Sequence, residues 1–227
     1  RSRGLGDVYK RQIIAGSDNY PKLVIEGARD YGVEHIEVIA FKGETNAKNI
    51  VGADRIHWMK VGRLQLLIDC IAETEINQLM MVGQISPRNI FSISLDDRMK
   101  SLLNSLSVLN THTILSSLVK KIEEIGIHII PANSFISKLM PSAGILTSRG
   151  LSESETNDVS IGAKYLKANS SFDIGQTVIV KSGYIVAIEA MDGTKKTIQR
   201  AGKSAGSGTT VVKFPREDHN LKFDIPV

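Results

Sequence analysis

The feature that most constrains this chain is the alternation of short apolar runs with amphipathic helical stripes through its first 130 residues. Residues 13–16, Ile-Ile-Ala-Gly, read as a strand and residues 17–21 as a polar loop. Leu23, Ile25, Ala28 and Tyr31 then recur at helical spacing until Gly32 stops the pattern. Residues 33–41 form the next strand. Strand, helix and strand in that order make a βαβ unit, which opens a parallel sheet. The alternation continues with a strand at 55–60, an amphipathic run at 63–74, a buried strand at 79–82, a helix at 113–126 stopped by Gly126, and a strand at 127–130.

Open α/β sheets place ligands at the carboxyl ends of their strands, so two loops stand out. The loop at Gly16 and Ser17 follows the first strand and precedes a helix, whose free N–H groups and positive dipole end suit an anion. It carries one glycine where a dinucleotide fingerprint needs three, so a generic phosphate pocket is the reading. The loop at Gly83 and Gln84 ends the 79–82 strand and leads to Arg88, which fits a phosphate contact or a solvated arginine equally. His57, His112 and His128 lack ligand spacing and read as ordinary loop or strand histidines.

A linker is expected at 132–150, where Pro141, Gly144 and Gly150 precede the polar run 152–157; a helix follows at 158–166. Residues 177–180 and 184–190 are β-branched and aliphatic around Lys181-Ser182-Gly183, the pattern of a hairpin. Its second strand delivers Glu189 and then Asp192-Gly193-Thr194. There a turn glycine lets N–H groups and a hydroxyl approach an anion, with carboxylates in reach of a cation; plain turn chemistry accounts for the same residues. A helix at 195–200, a mobile loop at 202–208 and a strand at 209–214 complete the pass. The GKSAGSG loop is not a nucleotide loop, because it lacks the G-x-x-x-x-G-K-[ST] order.

Residues 1–12, RSRGLGDVYKRQ, have no apolar period and look like a translated library adapter, so Ile13 is read as the first genuine residue. Setting them aside removes Arg1, Arg3, Lys10, Arg11 and Asp7. The 28 basic and 24 acidic residues become 24 and 23, a net charge of +1 in place of +4, which supports no nucleic-acid partner. The single cysteine, Cys70, excludes an internal disulfide and fits a reducing compartment. No apolar run reaches the roughly 20 residues of a membrane span. The expectation is a soluble, cytoplasmic protein with two α/β domains: residues 13–131 Rossmann-like with a parallel sheet, and residues 151–227 with a mixed sheet.

Four segments in order, IIAGSDNYP at 13–21, VGQISP at 82–87, DIGQTVIV with VAIEAMDGT at 173–194, and KFP with DIP at 213–226, resemble the two-domain UDP-2,3-diacylglucosamine pyrophosphatases of lipid A synthesis, not the metallophosphoesterase-fold enzymes of the same step. The resemblance implies a nucleotide-like first domain, a catalytic second domain and a substrate cleft between them. It implies hydrolysis of the lipid substrate to UMP and 2,3-diacylglucosamine 1-phosphate with Mg2+. Asp224 matches the family's essential acidic residue and would act as catalytic carboxylate or metal contact, with Glu189 and Asp192 as further metal or water contacts. Gly16, Ser17, Gly83, Gln84, Gln176, Gly193, Thr194, Arg200 and Lys213 would bind substrate. A diacylated substrate implies a transient, peripheral contact with the inner-membrane surface; association into a homo-oligomer stays open.

The chain departs from the family pattern in three places. Asp18 stands where a second glycine is common, Lys195 replaces the aspartate of Glu-Gly-Thr-Asp, and the segment 110–112 lacks an acidic pair. The family chain also runs on beyond its D-[LI]-P segment, so this sequence is expected to be a fragment at both ends. Lys195 reverses a charge beside the expected phosphates, which keeps a second reading alive: a homologue that binds UDP-sugar lipids without turnover, or with changed specificity. A nicotinamide-dependent oxidoreductase rests on fold analogy alone.

Overall fold

The computed structural model describes residues 10–85, 94–172, 174–215 and 222. The described chain divides between Met140 and Pro141 into two compact units.

The first unit carries β1 (Lys10–Ala15), α1 (Tyr20–Asp30), β2 (His35–Phe41), β3 (Arg55–Met59), α2 (Leu64–Ala72), β4 (Gln78–Val82), α3 (Asp97–Asn104), α4 (Thr111–Glu124) and β5 (His128–Ile129). Its five strands are all parallel, in the order β3-β2-β1-β4-β5. Alternate side chains of the strands enter two cores. Ile13, Ala15, Val38 and Ala40 pack with Val24, Ile25 and Ala28 of α1 on one face, and Ile14, Ile39 and Leu79 pack with Leu67, Ile71, Val119 and Ile122 of α2 and α4 on the other. A parallel sheet covered on both faces demands near-continuous apolar strands, and that is what residues 36–41 and 79–82 supply. Cys70 lies in the second core, where burial raises its thiol above the ordinary range and disfavours the thiolate. Asp96 caps two helices at once, accepting the N–H groups of Met99 in α3 and Gln65 in α2, each at 2.8 Å.

One boundary needs correction. β1 starts at Lys10, not Ile13, and pairs Lys10 with His35, Arg11 with Ile36 and Gln12 with Glu37. Three residues set aside as adapter therefore lie in the central strand. The side chain of Gln12 is poorly served there. Gln12 is wholly buried with neither amide atom hydrogen-bonded, and Arg11 sets its guanidinium 5.7 Å from the Phe135 ring centroid, where burial lowers its pKa. Backbone pairing recruits these residues in spite of their side chains. With Lys10 and Arg11 retained, only Arg1, Arg3 and Asp7 drop out of the 28 basic and 24 acidic residues, leaving 26 against 23 and a net charge of +3.

The second unit contains α5 (Glu153–Ala168), β6 (Thr177–Lys181), β7 (Tyr184–Ile188), α6 (Gly193–Ala205) and β8 (Thr210–Lys213), with an antiparallel sheet ordered β7-β6-β8. Leu166 of α5 packs with Val178, Val180 and Val212 on one face, and Ala201 of α6 packs with Ile179 and Ala187 on the other. Gly162 lets α5 sit against the sheet, since a Cβ there would meet Val212 Cγ2 at 2.7 Å. Both helices are longer than the sequence suggests. α5 begins at Glu153, where Ser152 and Glu155 form a reciprocal capping box. α6 runs past Gly202 to Ala205, whose carbonyl accepts from Lys181 Nζ at 2.5 Å. The first four residues of the expected mobile loop are thus helical.

Candidate functional site

In the first unit the chain order reverses between β1 and β4, the switch point where open α/β sheets bind ligands. The carboxyl ends of these two strands are joined there by their backbones. Gly16 N–H donates to the Val82 carbonyl (2.7 Å), Ser17 N–H donates to the Gln84 carbonyl (2.7 Å), and Ser17 Oγ donates to the same oxygen (2.9 Å). The approach excludes side chains: a Cβ on Gly16 would lie 2.4 Å from Gln84 O, and one on Gly83 2.4 Å from Ser17 O. Gly83 also has φ +82°, a left-handed conformation that suits glycine. Gly16, Ser17, Gly83 and Gln84 are brought together as one junction. Arg88 lies outside the described residues.

Asp18, beyond Ser17, has φ +67°. That left-handed conformation is disfavoured for a residue with a Cβ and natural for glycine. It gives a physical reason for the glycine common in the family at this position. Asn49 and Thr45, which sequence reasoning missed, reach this loop through their side chains. Neither has a local sequence signal, because the contacts span 30 and 31 residues.

The hairpin exit of the second unit forms its own hydrogen-bonded set. The Glu189 carboxylate accepts Thr194 Oγ1–H on one oxygen (2.9 Å) and Gln176 N–H on the other (3.2 Å), while Glu189 N–H donates to the Thr177 carbonyl (2.9 Å). Gly175 permits this closure, since a Cβ there would stand 2.5 Å from Glu189 O. Three residues on, Arg200 Nη2 donates to Asp192 Oδ2 (3.2 Å) and to the Ile188 carbonyl (3.0 Å). Burial works against the charged form of Asp192, yet Arg200 and the Ala190 N–H hold its carboxyl below the usual range. Gly193 and Thr194 are not a free turn but the first residues of α6, and the exposed Lys195 follows in the same first turn. Lys213 ends β8 opposite Thr177.

Sequence-predicted residues therefore fall into two sets, one per unit. Asp224 lies outside the described residues. Among the described residues no three His, Cys, Asp or Glu side chains group to hold a metal ion. Both Glu189 oxygens and both Asp192 oxygens already serve the fold. This donor set alone does not fit a magnesium cage. No helix among the described residues is long and apolar enough to cross a membrane.

Asp158 was also missed as a fixed point. It is 2% exposed and accepts the N–H groups of Ser182 (3.1 Å) and Gly183 (2.7 Å), and Thr210 Oγ1–H (3.3 Å). Ser182 and Gly183 both have positive φ, so the carboxylate on α5 braces a two-residue hairpin loop that strongly prefers such residues.

Two family models match the chain in order: the LpxI N-terminal domain over residues 10–139 and the LpxI C-terminal domain over residues 142–227. They correct the identification made from motifs. The family they name is LpxI, and its first domain begins at residue 10, inside the stretch 1–12 excluded as adapter. No curated protein matches. Among solved structures, the L-amino acid ligase from Bacillus licheniformis is similar at 12% identity over 91% of this chain and 44% of that chain, with a TM-score of 0.33. The biotin carboxylase domain of Hydrogenobacter thermophilus 2-oxoglutarate carboxylase is similar at 13% over 90% and 44%, with a TM-score of 0.34. The biotin carboxylase subunit of pyruvate carboxylase is similar at 15% over 90% and 44%, also at 0.34. The chain spans less than half the length of these structures.

Proposed function

We propose, from the premise that this chain belongs to the LpxI family, that it hydrolyses the pyrophosphate bond of UDP-2,3-diacylglucosamine, giving UMP and 2,3-diacylglucosamine 1-phosphate. LpxI domains indicate that activity, in lipid A biosynthesis. The observation that carries the reading is the presence of both LpxI domains, in order, over almost the whole chain. In the first unit, the Gly16-Ser17 and Gly83-Gln84 junction is assigned to the nucleotide end of the substrate. In the second, Thr194, Arg200 and Lys213 supply the hydroxyl and cationic groups that suit a sugar phosphate. Glu189 is assigned to positioning, because it holds the Thr194 hydroxyl and the Gln176 amide.

Water attack on phosphorus needs a carboxylate to orient the water or a cation to neutralise charge. Asp224 remains the proposed carboxylate and Mg2+ the proposed ion, both on the family resemblance. The diacylated substrate adds cytoplasmic action at the inner-membrane surface to the proposal. The test is UMP release from UDP-2,3-diacylglucosamine by the full chain, with and without a chelator. Release that a chelator abolishes and magnesium restores supports the whole reading. Release that ignores the chelator removes the ion, and a folded protein that releases no UMP removes the hydrolase.

One observation favours a second reading, binding without turnover. Lys195 places a cation in the first turn of α6, at the positive end of the helix dipole, where the family's aspartate would be favoured. Substrate bound with no UMP formed would select it.

A further inference from the structure

One short segment grips the β1 to α1 loop at two points. Thr45 is buried; its Oγ1 donates to the Ala15 carbonyl (2.5 Å) and accepts the Phe41 N–H (2.9 Å). Four residues later, Asn49 Nδ2 donates to the Asp18 carbonyl at 2.6 Å. Asn49 is itself held in place. It closes the 3-10 turn Ala47–Asn49, which Asn46 caps through the Lys48 N–H (3.0 Å), and the next residue, Ile50, is 1% exposed in the core. The loop between the two grips holds Gly16 and Ser17, already joined to Gln84, and Asp18, whose φ of +67° is a conformation that costs a side-chain-bearing residue free energy.

We infer that Asn49 is a positioning residue for nucleotide binding: its amide locks the Asp18 carbonyl and so keeps Gly16 and Ser17 in their binding geometry before any ligand arrives. The inference rests on the assignment of this loop to the nucleotide end of the substrate. A loop ordered beforehand spends no binding free energy on ordering itself. Because the grip acts on the bound ground state and the transition state alike, its loss raises KM and leaves kcat in place.

The experiment uses the full chain with Asn49→Ala and Asn49→Asp, the second nearly isosteric but unable to donate. UMP binding is titrated directly, and KM and kcat are measured with UDP-2,3-diacylglucosamine. The expected result is a weakening of UMP affinity and a rise in KM of roughly five- to tenfold, the scale of one net hydrogen bond, with kcat within about twofold of the parent. A purely structural role would lower the melting temperature and the active fraction while leaving UMP affinity unmoved. If the parent releases UMP from substrate and both variants hold UMP within twofold of the parent, the positioning role is overturned while the hydrolase reading stands. A parent that neither binds UMP nor releases it overturns the hydrolase reading, and the positioning role with it.

Discussion

The two units close their loops by opposite means. In the first, the ends of β1 and β4 meet backbone to backbone through Gly16 and Gly83, with no titratable side chain bonding the junction among the described residues. In the second, buried or half-buried carboxylates do the closing: Asp158 braces the hairpin loop and Glu189 ties its exit to Thr194 and Gln176. A backbone junction is indifferent to pH and intolerant of a single added carbon. A carboxylate junction leaves room for substitution, but depends on charge and on every donor that has given up water for it.

The largest expected effect comes from adding that carbon. Gly83→Ala combines a left-handed φ with a 2.4 Å approach to Ser17 O and should destabilise the first unit by about 3 kcal/mol or more. Denaturation followed through Trp58, the single tryptophan, which lies in β3, reports that unit. A change below about 1 kcal/mol would mean that the junction yields, and the contrast between the units would collapse.

Asp158→Ala comes next. It strands the N–H groups of Ser182 and Gly183 and should cost about 2–3 kcal/mol, read by far-UV circular dichroism. Asp158→Asn, which keeps an acceptor, should cost less. If the Trp58 transition moved as far as the circular dichroism signal, the two regions would be melting as one and the comparison would lose its basis.

A gain of stability is expected at the other end of β1. Gln12→Leu replaces a fully buried amide that has no hydrogen-bond partner and should stabilise by roughly 1–2 kcal/mol. A loss on denaturant titration would show that the amide is satisfied in solution, and that side chains as well as backbone hold this strand.

The smallest effect is the share of the second unit's pH dependence that Glu155 carries. Arg149, with the Ser152 N–H and hydroxyl, holds Glu155 at a pKa of about 2 against an ordinary 4.5. A carboxyl depressed in the folded state stabilises above its unfolded pKa. The contribution is therefore complete above about 4.5 and disappears as pH falls toward about 2. Arg149 and Glu155 sit at the surface, so the effect is slight. Arg149→Ala should flatten the acid limb of the second unit and leave the Trp58 signal unchanged. An acid limb that persists in the variant would point to another carboxyl.

Much of this was legible because it is local. The β1-α1-β2 order follows from apolar spacing around Gly32, the hairpin from two β-branched runs around Ser182-Gly183, and the first site loop from a glycine placed between a strand and a helix. The start of α5 reads as residue 158, five residues late, because the polar composition of 152–157 masks the capping box of Ser152 and Glu155.

What the sequence by itself determined is the pattern of elements, since helical and strand periodicity are properties of neighbouring residues. Tertiary structure alone decided the rest. Lys10, Arg11 and Gln12 are strand because β2 pairs with all three and β4 pairs with Gln12 on the other side, a preference no local propensity carries. Gly202 is helical because Lys181 holds the helix end. Asp158, Thr45 and Asn49 matter because residues 24 to 52 positions away in the chain present donors or acceptors to them. Such contacts form only once the backbone is packed, when buried polar groups must find partners wherever the fold has put them.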